Sequence, residues 1–157
     1  MVKNMATRGF EFAYMLDGSN ATPVIRDFVL GVAADHLVGD LMIIQSDGFA
    51  DEAVADMAVE PACVVMEEVL TADVTAETTV AKCAILTREQ VWRCSTNETT
   101  QAGLVGYTKV LNLVDKNTID GTPITGGSMI LVDKSEVDDD GNVIAYVVFS
   151  DTAFGNT

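Results

Sequence analysis

Histidine is nearly missing from this sequence: His36 is the single one in 157 residues. Without a second imidazole, and with no Ser or Cys set for nucleophilic attack, catalytic triads and most histidine-based metal centres are excluded. Cations are scarce too. Nine Lys and Arg face 24 Asp and Glu, a formal net charge of −15 and a pI near 4.1. Such a chain lacks the Lys and Arg that neutralise phosphates, so nucleic acid and anionic membranes are excluded as partners. The three cysteines, Cys63, Cys83 and Cys94, are separated by 20 and 11 residues with no CxxC pair. That spacing suggests neither a zinc site nor a dithiol motif, and the three read as reduced core thiols. No apolar run approaches the ~18–20 residues of a membrane helix. Residues 1–16, broken by Lys3, Arg8 and Glu11, lack the apolar stretch of a secretion signal. The expectation is a soluble protein made inside a cell, with no cofactor and no metal.

What is present is enough for one domain. Hydrophobic residues make up 48% of the chain and mean hydropathy is +0.26, and at this length folding buries roughly 70% of the unfolded surface. Charge is unevenly spread. No Lys or Arg lies between Arg26 and Lys82, an interval that holds twelve acids, whereas the first 26 residues carry a net of +1. A slightly basic arm therefore precedes an acidic body. That body reads as a solvated face that keeps copies apart, or as a match for a basic docking partner.

Periodicity favours strands. Phe10, Phe12, Tyr14 and Leu16 alternate with Glu11, Ala13 and Met15 and so should share one face. Further strands are expected over residues 23–30, 37–45 with a kink at Gly39, 62–70, 79–87, 90–94, 107–114, 128–133 and 142–150. The last is apolar on both faces, the pattern of a doubly covered strand. Only residues 50–59 and 99–105 read as short helices. Many short strands with turns every 8–12 residues, and no βα alternation, predict an all-β fold, mainly an antiparallel barrel or sandwich, with at most one or two short helices. The boundaries are an arm over residues 1–12 and a single β-rich domain over 13–157.

Candidate chemistry is thin. Asp138, Asp140 and Gly141 match three positions of a calcium loop that starts at Glu136, but position 12 falls on Val147. A hairpin tip at Asp140-Gly141, in a type I′ turn, fits better than weak calcium binding. His36 beside Asp35 reads as an exposed loop histidine. Gly126-Gly127-Ser128 lacks the Lys of a phosphate loop and reads as a turn. Glu67 and Glu68, adjacent on a strand, would face opposite sides and could not flank one bond. No catalytic, cofactor-binding or metal residue is assigned. Three Tyr, six Phe, one Trp and seven Met suggest a core plus some apolar contact surface.

The layout resembles the head decoration, or cement, proteins of tailed bacteriophages, in their small β-barrel ("β-tulip"-like) group. The residues that carry the likeness are the N-terminal arm through Gly9, Leu37-Val38-Gly39-Asp40-Leu41, Asp47-Gly48-Phe49-Ala50, Pro61 to Val65, and Gly126 to Val132 before a final strand. The likeness spans most of the chain as a pattern of strand-opening glycines, without a signature motif. It departs from that group in the long acidic segment from Glu52 to Glu60.

The resemblance implies a structural virion protein, not an enzyme. It would bind the outer capsid surface as a homotrimer, or clustered at local symmetry axes, and bridge major capsid subunits. A ligand that binds only the assembled lattice stabilises it by mass action. Strand addition by the arm is the natural contact, which singles out Val2, Lys3, Arg8, Phe10 and Phe12 as contact residues, with Arg8 and Phe10 as anchors. A frayed terminus followed by an ordinary first strand is the competing reading of those residues. Alternatives for the whole chain are a tail-tube or head-completion protein, or a small ligand-binding or hydrolytic β-barrel. A sugar binder of that last kind would display paired exposed aromatics beside carboxamides.

Overall fold

The computed structural model describes residues 9–54, 61–104, 109–124 and 127–149. The strands are β1 (Glu11–Met15), β2 (Ile25–Val29), β3 (Leu41–Ile44), β4 (Ala50–Glu52), β5 (Pro61–Val65), β6 (Val80–Ile85), β7 (Gln90–Ser95), β8 (Val110–Asp115), β9 (Thr118–Asp120), β10 (Met129–Leu131), β11 (Glu136–Val137) and β12 (Val143–Phe149). They form two antiparallel sheets. The first runs β1-β7-β12-β10-β8-β9, with β11 also on β12; the second runs β2-β6-β5-β3-β4. The fold is an all-β sandwich, and among the described residues neither sheet closes into a barrel. A single parallel bridge from Leu30 to Ala50 draws the two ends of the second sheet towards each other.

The main core lies between the sheets. Trp92, Cys94, Ala145, Val147, Leu111, Leu113 and Met129 of the first sheet meet Leu41, Ile43, Val64 and Ala84 of the second. Those last four alternate along their strands with Met42, Cys63, Ala81 and Cys83, which bury a second core with Leu30 and Ala50 on the opposite face. The central strands of the second sheet are thus buried on both sides, which is why their segments read as unbroken apolar runs. The same holds for β12, where six of seven residues are buried, as its two apolar faces predict. All three cysteines are buried and reduced. The Cys63 thiol is pushed up by its hydrogen bond with Cys83 and by burial, and burial pushes up that of Cys94.

Buried polar groups tie the layers. Trp92 donates its indole N–H to Gln90 Oε1 at 3.1 Å, and Gln90 Nε2 donates to the Ile85 carbonyl at 3.1 Å, linking β7 to the end of β6. Lys116, in the β8–β9 turn, accepts the Leu41 N–H on its carbonyl at 2.7 Å. Its ammonium donates to Glu52 Oε1 at 2.6 Å and lies 3.3 Å from Asp40 Oδ2. Asp40, 1% exposed, also accepts the Leu37 N–H at 3.0 Å.

Several expectations are corrected. Ala50–Glu52, expected to start a helix, is a strand paired with Met42–Ile44, because Ala50 completes the second core; residues 55–60 lie outside the described residues. Of residues 99–105, Gln101–Leu104 form one 3-10 turn, and a further 3-10 turn spans Thr71–Asp73. The strand expected over 37–45 is regular only from Leu41. Gly39 adopts φ +94°, and its backbone packs so closely on Gly9 that a side chain on either would collide with the other's main chain.

At the β11–β12 tip, Gly141 has φ +86° and Asp140 is not in the positive-φ region. Gly141 N–H bonds the Asp138 carbonyl at 3.1 Å, so the turn is a type I turn closed by a left-handed glycine, not type I′. The Asp138 carboxylate accepts the N–H groups of Asp140 and Asn142 at 3.0 and 2.8 Å, which commits it to shaping the loop. His36 is fully buried, with its backbone paired to Val69, and is not the exposed histidine expected. Glu67 and Glu68 lie beyond the end of β5, both exposed, rather than on a strand.

Candidate functional site

The expected contact residues divide between two places. Val2, Lys3 and Arg8 lie outside the described residues. Phe10 immediately precedes β1 and Phe12 lies within it, and both pack on the main core. Phe10 is 2% exposed, with its ring 5.7 Å from that of Phe149, and its N–H bonds the Gly39 carbonyl at 2.8 Å. The Phe12 ring meets Trp92 edge-on at 74°. Phe10 is therefore corrected from a partner anchor to a core residue: its ring is spent on the chain's own packing. Phe12 is half-buried and keeps one edge at the surface.

The alternation that placed Phe12 and Tyr14 on one face fails at a β-bulge. Phe12 pairs with Trp92 and Tyr14 with Val91, so two residues of β1 oppose one step of β7. The extra residue, Ala13, turns Tyr14 to the outer face of the first sheet, the re-aiming that bulges perform. There its hydroxyl donates to Asp133 Oδ2 at 2.6 Å. That bond, with the Lys134 N–H, holds the Asp133 carboxyl below its ordinary value.

The same face carries a second row. Register places Glu11, Arg93 and Tyr146 side by side on β1, β7 and β12. Arg93 donates Nε and Nη2 to Glu11 Oε2 at 3.0 and 2.7 Å, and its Nη1 lies 3.7 Å from Glu136 Oε1. Tyr146 donates to that same oxygen at 2.7 Å. Glu11 first, and then Tyr146, raise the Arg93 pKa, while burial and Glu136 raise that of Tyr146. Phe12, Ala13, Tyr14, Arg93, Asp133 and Tyr146 enclose an open groove of about 440 Å³.

Chemically, this face offers phenol rings, hydrogen-bond donors and carboxylate acceptors. Among the described residues, no three His, Cys, Asp or Glu side chains converge as a metal site requires. Sequence reasoning missed the face. The available signals were a lone Arg93 inside the apolar run 90–94 and a lone Tyr146 inside β12, and neither points to Asp133.

The chain matches no protein-family model, no curated protein and no solved structure.

Proposed function

We propose that this chain is a structural virion protein that binds the outer surface of an assembled bacteriophage capsid and bridges its major capsid subunits. It acts as a homotrimer or in clusters at local symmetry axes, with no nucleic acid, membrane or cofactor as partner. The observation that carries this reading is the place of β1. It is the end strand of the first sheet, separated from residues 1–8 only by Gly9 and Phe10. An end strand is the site at which a sheet can extend its pairing to a neighbouring chain. The surplus of acids supports it further, because it discourages random self-association and favours docking on a basic surface.

The test is co-sedimentation with capsids of the phage whose genome encodes this chain. The full chain pellets with expanded capsids and not with immature ones, and deletion of residues 2–8 lowers occupancy at least tenfold. Full occupancy by the truncated chain overturns the arm's role. Absence of binding by the full chain overturns the whole reading.

A further inference from the structure

We propose that the groove on the outer face of the first sheet, between Tyr14 and Tyr146, is a binding site for a neutral saccharide. The proposal is independent of capsid binding and uses a different face of β1 from its pairing edge.

Two phenol rings line the groove. Each is held by a carboxylate: Tyr14 by Asp133 at 2.6 Å and Tyr146 by Glu136 at 2.7 Å. A ring fixed through its hydroxyl loses little further freedom when a ligand lies on its face, so the platform is preorganised. The apolar C–H face of a sugar ring packs on such a phenol, whose negative face favours the slightly positive hydrogens.

The polar groups suit hydroxyls better than ions. Arg93 presents donors and Asp133 presents acceptors on the walls of one groove. A sugar hydroxyl uses both kinds, since it donates and accepts at once. The walls of the groove carry one carboxylate, Asp133, and one guanidinium, Arg93. An ion of either sign therefore meets a like charge there. A neutral ligand avoids both conflicts. The groove's volume of about 440 Å³ falls within the ~300–1,000 Å³ of small-ligand sites. Its open form suits a short chain of sugar units lying across the strands better than a single engulfed ring. The acceptor is the Asp133 carboxylate and the Arg93 guanidinium supplies donors, in place of the carboxamides a sugar binder would be expected to display.

The experiment is NMR titration of the full chain with a panel of neutral tetra- to hexasaccharides: β-glucan, xylan, mannan and chitin fragments. At least one produces saturable shifts confined to Tyr14, Arg93, Asp133, Tyr146 and their neighbours. Tyr14→Ala and Tyr146→Ala each weaken that binding at least tenfold. Tyr14→Phe, which keeps the ring and is the milder change, weakens it only a few-fold. No shift with any fragment up to about 10 mM, where even weak sites fill, overturns the proposal. So do shifts located elsewhere, unchanged affinity in an Ala variant with native melting, or tighter binding at this groove by inorganic phosphate or a Lys-rich peptide.

Discussion

Tyr14 and Asp133 stand 119 residues apart in sequence and share a 2.6 Å hydrogen bond across the outer face of the first sheet. The bond exists because one extra residue at Ala13 rotates Tyr14 away from the core that Phe12 enters. It joins the edge strand to the segment that follows β10, so its loss has a measurable pH signature.

Tyr14→Phe removes that bond. Its cost is below about 1 kcal/mol, because the pair is exposed. The Asp133 pKa is lowered in the folded state from 3.8. Its contribution is therefore fully present above that value and lost as pH falls through the lower, folded one. Urea unfolding of both proteins shows a larger stability difference at pH 7 than at a pH where Asp133 is protonated in both states, since the neutral carboxyl is the weaker acceptor. A difference that is undiminished at acid pH contradicts the assignment.

Phe10→Ala costs about 3–5 kcal/mol, as truncation of a buried aromatic does, since the ring packs on Phe149. The measurement is the urea midpoint at constant slope. An effect under about 1 kcal/mol would return Phe10 to the role of partner anchor.

Much of this fold is legible in the sequence, and the reasons are local. β12 announces itself because a short, β-branched-rich apolar run of seven residues after the Asp140-Gly141 turn has strand length and not helix length, and its two apolar faces fix its central place. Turn glycines such as Gly48, at φ +87°, mark where strands stop. Features decided by tertiary context are not legible. Ala50–Glu52 becomes a strand because Ala50 fills the second core. His36 is buried where its backbone pairs with Val69, a contact between segments 33 residues apart. The bulge at Ala13 leaves no trace in composition, and it decides which aromatic residues form the groove.

Lys116→Met leaves the buried Asp40 carboxylate without its cation and costs about 1–3 kcal/mol, less than a fully buried pair because Lys116 itself is partly exposed. Burial opposes the charge on Lys116, but Glu52 and Asp40 outweigh it and raise its pKa from 10.5. The stabilisation is complete below that value and fades as pH rises through the folded one. Thermal melts therefore show the gap between wild type and variant narrowing above pH 10.5. A double variant with Asp40→Leu regains part of the loss, and a gap that is flat with pH contradicts the ion pair.

Gly39→Ala destabilises by more than about 1 kcal/mol, because a side chain is strained at φ +94° and meets the Gly9 backbone at 3.0 Å. Gly48→Ala, also at positive φ but with open space around it, carries only the conformational part. Chemical denaturation ranks the two, and equal costs would show that the Gly9–Gly39 contact adds nothing.

We propose above that this chain acts as an exterior glue between capsid subunits. Cryo-electron microscopy of tailed-phage particles assembled in the presence of this chain tests that proposal most directly. The account predicts density for this sandwich on the outside of the head, in threefold or local-axis clusters, with the N-terminal segment reaching a neighbouring subunit. Heads with bare exteriors, and this chain found in the tail or absent from the particle, would contradict it.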